Sequence, residues 1–268
     1  MKTARVLAAL FLFLVVLAAF SSDYWAPARY EEQFRDQPDA PPSARFPLGT
    51  DALGRDRLSR LMYGTRVSLL LAPAAALVSC LLAALLGGGA GLLRGWVDGG
   101  LMALTDLFLS LPWLFLLLTV RALLPMQCPP LVSVSVTFLL LGLLGWPAPA
   151  RVVRAEVRRI AGSDFILQAR AAGCGGWRIL LRHLAPNMRP VLLAQFWVAV
   201  PVFILGEATL GMLGLGVSEP LPSWGSILLE LEGSSGVWSQ PWLLVPVVLL
   251  AAVVGCFQLV LPREDYTL

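Results

Sequence analysis

Apolar residues in this chain come in long, nearly unbroken runs. They extend over residues 6–20, about 67–93, about 101–124, about 131–149, about 190–215 and about 242–261. A helix crossing the hydrocarbon core of a bilayer needs about 20 apolar residues. The pattern therefore predicts an all-α polytopic membrane protein with six transmembrane helices. Composition agrees. Of 268 residues, 57% are hydrophobic and 14% charged, with a mean hydropathy of +0.76. Soluble domains average about 45–50% apolar and about 25% charged residues, so lipid is the solvent these helices are built for.

The polar stretches set boundaries and orientation. Lys2 and Arg5 precede the first run, and Ser21 and Ser22 follow it. That is the layout of a cleaved signal peptide or of a retained signal anchor; the anchor is the reading adopted, because the later runs already make the chain a membrane protein. Residues 23–63 are polar, nearly balanced in charge, and carry Pro27, Pro38, Pro41, Pro42 and Pro47. They are expected to be extracytoplasmic with little regular structure. This divides the chain into an N-terminal anchor and outer segment (1–63) and a five-helix membrane core (64–268). Within that core, Gly87, Gly88, Gly89 and Gly91 permit a close helix contact or a bend.

Net charge (+3) says little, because the charges are segregated. Residues 151–189 hold Arg151, Arg154, Arg158, Arg159, Arg170, Arg178, Arg182 and Arg189 against Glu156 and Asp164. Residues 216–241 hold Glu219, Glu230 and Glu232 and no basic residue. Short loops rich in arginine and lysine stay on the cytoplasmic side. The first stretch is thus expected inside, the second outside, and the N-terminus inside. Six spans satisfy all three, with both termini cytoplasmic; five or seven break at least one. Cys80, Cys128, Cys174 and Cys256 form no C-x-x-C pair and read as small apolar residues in packed helices.

The 151–189 stretch has internal order. Ser163-Asp164 can cap a helix, residues 165–172 are good helix formers, and Gly173 can end that helix, with Gly175-Gly176 extending the break. Trp177 to Leu184 reads as a second short helix stopped at Pro186. The result is a helix–glycine turn–helix, basic on one face and apolar on the other. Two readings stand: an amphipathic element lying on anionic lipid, or a docking element for a soluble subunit.

Here the sequence resembles a family. Ala169-Arg170-Ala171-Ala172-Gly173, followed by Ile179-Leu180-Leu181-Arg182-His183-Leu184-Ala185-Pro186-Asn187, is similar to the EAA loop of ABC importer permeases. Pro47-Leu48-Gly49-Thr50-Asp51-Ala52-Leu53-Gly54-Arg55-Asp56, then Leu58-Ser59-Arg60-Leu61 and Tyr63-Gly64, resembles the segment before the second helix of dipeptide/oligopeptide/nickel permeases, in their C-type subunit. Glu207-Ala208, Leu213-Gly214-Leu215-Gly216-Val217, Pro220 and Pro222-Ser223-Trp224-Gly225 resemble the segment after their fifth helix. The three matches occur in family order.

The resemblance implies a type I ABC importer permease fold. It implies a second homologous permease subunit, two cytoplasmic ABC ATPase subunits and an extracytoplasmic solute-binding protein as partners, besides membrane lipid and without nucleic acid. The EAA loop is then the element that docks on the ATPase, carried here by Ala169, Arg170, Ala171, Ala172, Gly173, Arg178, Arg182, His183, Pro186 and Asn187. The resemblance places the family's leading glutamate at Leu167 and the next alanine at Gln168, so the carboxylate that names the loop is absent. Peptides or a similar small solute, nickel included, are the implied cargo.

Other candidates carry less. His183 is the only histidine and has no partners for a metal site; no metal and no cofactor is expected. Gly87–Gly91 is not a phosphate loop, since G-K-[ST] is missing. Without a nucleotide motif the chain is expected not to be an enzyme, with ATP hydrolysed on a separate chain. Asp106 and Glu207 lie in or near membrane helices, where ionisable groups are functional candidates; both are candidate translocation-path residues, and Asp106 could pair with Arg94. Arg121 is expected to snorkel to the interface. Trp96, Trp113, Trp146, Trp224, Trp238 and Trp242 are expected to anchor helix ends at the interfaces. Pro112, Pro147 and Pro149 are expected to kink or end helices. A channel or secondary transporter would show paired intramembrane charges or an inverted repeat. A membrane enzyme would need a convergent catalytic set. A non-transporting anchor for a cytoplasmic partner is the remaining alternative.

Overall fold

The computed structural model describes residues 2–123, 129–232 and 240–260. Among them every regular element is helical, apart from an isolated antiparallel bridge between Thr50 and Asp56. In chain order the helices are α1 (Lys2–Phe20), α2 (Ser22–Trp25), α3 (Arg57–Leu93), α4 (Gly95–Ser110), α5 (Trp113–Ala122), α6 (Pro130–Leu144), α7 (Pro147–Ala161), α8 (Asp164–Ala171) and α9 (Gly176–Ile179). A π-helical turn (Leu180–Leu184) leads into α10 (Ala185–Met212), followed by α11 (Trp224–Glu232), a 3-10 turn (Pro241–Leu244) and α12 (Val245–Val260).

Four helical stretches are long and apolar enough to cross a membrane: Thr3–Phe20, Arg57–Leu93, Gly176–Met212 and Pro241–Val260. Two bent pairs raise the number to as many as six, α4 with α5 at 83° and α6 with α7 at 40°. Both breaks have a proline cause. Leu111 is extended (φ −86°, ψ 135°) before Pro112, as the steric demand of the proline ring on its predecessor requires. Pro147 occupies the first position of α7, where its missing N–H costs no hydrogen bond.

Several boundaries differ from the sequence expectation. The second span starts at Arg57, inside the stretch expected to lack regular structure. Asp56 starts it: its Oδ2 accepts hydrogen bonds from the Ser59 backbone N–H at 2.7 Å and the Ser59 hydroxyl at 2.5 Å, capping the helix. The third apolar run is two helices, and its end at Leu124, like the predicted sixth-run end at Leu261, lies outside the described residues. The predicted stop at Pro186 does not occur. The Ala185 N–H bonds to the Leu180 carbonyl, a π-type spacing that carries the helix into α10 with Pro186 in its first turn. A π-bulge absorbs the missing proline donor.

The chain forms two compact units. The first comprises residues up to Pro73, Leu118–Phe138 and the chain from Pro201 on. In it α1 packs along α12, and α11 lies buried against α3 and α10. Association inside lipid depends on close van der Waals fit more than on hydrophobic burial, and here glycines supply the fit. A Cβ on Gly211 would lie 2.3 Å from the Cα of Gly225, and one on Gly64 would lie 3.0 Å from Ile227 Cδ1.

The second unit comprises Ala74–Leu117 and Leu139–Val200. Its α7 is amphipathic, with Ala150, Val153, Val157 and Ile160 buried along one face at helical spacing. Part of the glycine run serves this helix: a Cβ on Gly87 would lie 2.2 Å from the Ala150 carbonyl oxygen, and one on Gly91 2.7 Å from Val157 Cγ1, whereas Gly88 and Gly89 face open space. Close contact is the role of Gly87 and Gly91.

Candidate functional site

The segment resembling the docking loop lies in the second unit. α8 begins at Asp164 after Ser163, as the sequence indicates, but the Ser163 hydroxyl does not cap it. It donates to the Ile160 carbonyl at 2.5 Å instead. At the other end Gly173 has φ +79°. The Gly173 N–H bonds to the Arg170 carbonyl at 2.9 Å and the Cys174 N–H to the Ala169 carbonyl at 3.0 Å, the paired bonds of a Schellman terminus, for which glycine is preferred because a Cβ disfavours positive φ.

Below the turn, Ile166, Ile179, Leu184 and Met188 join Val153, Val157 and Ile160 of α7 in one apolar core with Trp146. Above it, Arg170, Ala171, Ala172, Gly173, Arg178, Arg182 and Asn187 are exposed; Ala169, His183 and Pro186 are half-buried. His183 lies beside Phe165, with ring centroids 6.4 Å apart and the planes tilted by 49°. Leu167 is 50% exposed. An open hollow is lined by Gly173, Gly175, Gly176, Trp177, Arg178, Leu181 and Arg182.

The eight arginines of the basic stretch fall into two groups. Arg151 pairs with Asp106, Arg154 and Arg158 with Asp98, and Arg159 with Glu156. Arg170, Arg178, Arg182 and Arg189 have no ion pair among the described residues. The division falls at the end of α7. Asp106 therefore meets Arg151, not Arg94. Asp98, 7% exposed, went unnoticed in the sequence. Its signal was the shared face of 151, 154 and 158 on one helix opposite Asp98 and Asp106 on another.

In the first unit, the two other family-like segments meet although residues 65–206 separate them. The Trp224 indole N–H donates to the Thr65 hydroxyl at 3.0 Å, beside the Gly64 contact. Around them lies a second charge cluster. The Arg55 Nε donates to Asp51 at 2.6 Å and its Nη1 to Glu219 at 2.5 Å. Arg60, 1% exposed, donates to Glu219 at 2.9 Å and also to Glu230. Burial works to lower the Arg55 pKa, but the Asp51 hydrogen bond and the Glu219 charge outweigh it and leave it raised. Burial pushes the Glu230 carboxyl up, against the pull of Arg60.

Glu207 is fully buried on α10, beside Gly225 and within 3.4 Å of the Ser68 hydroxyl. Arg121 corrects the expectation of snorkelling. It is 2% exposed and donates to the Ser133 hydroxyl at 3.1 Å and the Gly216 carbonyl at 3.2 Å. These acceptors replace water at Nη2 of a guanidinium that the first unit encloses, while its Nε is buried without a hydrogen-bond partner among the described residues. Trp146 and Trp224 are buried too, so they pack helices together instead of anchoring them at an interface; Trp96 is exposed, Trp113 and Trp242 are half-buried. Trp238 and Cys128 lie outside the described residues. Cys80, Cys174 and Cys256 are free thiols, and no group of three or more metal-ligating side chains occurs among the described residues.

Fold and charge layout define a polytopic all-α membrane protein with a long structured segment between two of its apolar helices. Comparison with known proteins narrows the class. Residues 67–262 match the family described as binding-protein-dependent transport system inner membrane component. The chain is 36% identical over 252 residues to the di/tripeptide transport system permease protein DppC of Pseudomonas aeruginosa, covering 90% of this chain and 81% of that one. It is 34% identical over 237 residues to the nickel transport system permease protein NikC of Escherichia coli, covering 88% and 82%. It is 33% identical over 226 residues to the glutathione transport system permease protein GsiD of Pectobacterium atrosepticum, covering 84% and 73%. The chain belongs to this family of ABC-type inner-membrane permeases.

Proposed function

We propose that the chain is the C-type permease subunit of an ATP-driven importer. In this reading it crosses the membrane six times with both termini and residues 151–189 in the cytoplasm. It forms half of a translocation path with a second homologous permease, above two cytoplasmic ABC ATPases and below an extracytoplasmic solute-binding protein. The names of its relatives, for di/tripeptides, nickel and glutathione, favour peptides or a similar small solute as cargo. Asp106 and Glu207 are its candidate path residues.

The observation that carries this reading is the set of exposed cations on the docking segment that have no ion pair among the described residues. Arg170, Arg178 and Arg182 surround the Gly173 turn, and the apolar underside fixes that turn to α7. Such a surface suits a soluble partner with carboxylates, and movement of the partner is passed on through a rigid body. Leu167 makes the contact at the family's glutamate position apolar. The test is co-expression with the ATPase of the same transporter. The chain alone neither binds nor hydrolyses ATP, and it co-purifies with the ATPase. A chain that purifies free of any ATPase contradicts the proposal.

A further inference from the structure

Four helices converge on α7. On its apolar face sit α8, α9 and the π-helical turn, through Ile166, Ile179 and Leu184. Along the same face lies α3, where Gly87 meets the backbone of Ala150 and Gly91 meets Val157 and the Arg154 carbonyl. On a second face lies α4, joined by charge. Arg154 grips Asp98 with Nε and Nη2, the latter at 2.8 Å, and the Arg158 Nη2 reaches the same carboxylate. Further along α4, Asp106 takes Arg151. Higher numbers on α4 meet lower numbers on α7, so the two helices run antiparallel as a ladder with two rungs.

The rungs are unequal. Asp106 and Arg151 are both more than half exposed, with side-chain exposures of 59% and 52%. Exposed pairs contribute little. The Asp98 side chain is 11% exposed, and it is held by a bidentate guanidinium plus a second cation. A bidentate pair fixes orientation as well as distance, so α4 can neither slide nor roll against α7 without breaking it.

We infer that Asp98 is a positioning residue for transport: through Arg154 and Arg158 it locks α4 to α7, so that displacement of the docking segment moves α4 as one body with it. This rests on the permease reading. Asp98 touches neither solute nor ATP; it acts by making α7 a rigid relay between the docking segment and the membrane helices behind it. Gly87 and Gly91 attach α3 to the same relay by close backbone contact.

The test uses the assembled transporter in liposomes with its binding protein, and reads solute taken up per ATP hydrolysed. Asp98→Asn lowers that ratio about tenfold, within the usual range of coupling between sites, while the ATPase still co-purifies. Asp98→Glu keeps most of the ratio, because the charge remains. If Asp98→Asn fails to assemble, Arg158→Gln takes its place; it leaves the Arg154 pair intact and gives a smaller drop of the same kind. Uptake and hydrolysis falling in proportion, with the ratio unchanged, show a pin that serves stability alone and overturn the inference. A wild-type chain that holds no ATPase overturns the permease reading as well, so the two failures are told apart.

Discussion

Within one basic stretch, α7 and the α8–α9 segment treat their arginines in opposite ways. Arg151, Arg154, Arg158 and Arg159 on α7 all find carboxylates in the same chain. Arg170, Arg178 and Arg182, a few residues on, are exposed and unpaired among the described residues. A count of charges treats the eight alike and serves only for orientation. Partners separate them: Arg151, Arg154 and Arg158 join α7 to α4, Arg159 pairs within α7, and the second group is the one the proposed docking role uses. The same contrast holds against the first unit, where Arg55 and Arg60 are buried and shared among Asp51, Glu219 and Glu230.

Substitutions can break or sharpen that contrast. The largest effect is expected at the most enclosed paired cation. Arg60→Ala leaves Glu230 with Arg55 alone, at 3.3 Å, and costs about 2–3 kcal/mol, at or below the usual range for breaking a buried pair because Arg55 remains and Glu219 is half exposed; thermal unfolding in detergent measures it. Gly211→Ala comes next, since its Cβ would meet Gly225 at 2.3 Å. Overpacking of this kind costs about 1–3 kcal/mol, and the loss should appear in unfolding with no change in ATPase binding. Gly173→Val meets no neighbouring atom, yet its positive φ costs about 1–2 kcal/mol. It should release the ATPase while the helical circular dichroism stays intact, and unchanged co-purification counts against the docking role. Arg154→Ala removes two charged hydrogen bonds and lowers stability by about 1–2 kcal/mol. Leu167→Glu is the smallest, within about 0.5 kcal/mol for an exposed site. It should still weaken association with the chain's own ATPase, because a carboxylate replaces an apolar contact.

Much of this was legible in the sequence. Runs of apolar residues located the helices long and apolar enough to cross a membrane, four of them or up to six with the bent pairs, and the Gly173 terminus follows from local chain chemistry that depends on few neighbours. The family-like segments 47–64 and 207–225 could be named but not joined, because the Trp224–Thr65 bond and the Glu219–Arg60 pair are tertiary. The start of α3 at Arg57 was missed because charged residues read as loop until carboxylates from elsewhere neutralise them. Arg121 was misread for the related reason: snorkelling is the default for a helix-end arginine, and only the Ser133 hydroxyl and Gly216 carbonyl make burial tolerable. The helical periodicity of Ala150, Val153, Val157 and Ile160 was present in the sequence but lay hidden in a stretch classed by its charge.

The division between paired and unpaired arginines is tested most directly by the affinity of the cognate ATPase for two triple variants of the full chain. Arg170→Ala, Arg178→Ala and Arg182→Ala together should weaken the complex by tenfold or more, about 1.4 kcal/mol, and leave the melting temperature of the permease unchanged. Arg151→Ala, Arg154→Ala and Arg158→Ala together should lower the melting temperature and leave the affinity of the remaining folded protein within about twofold, since an exposed docking surface depends little on sites outside it. Equal loss of ATPase affinity in both variants, or loss only in the second, would contradict the account.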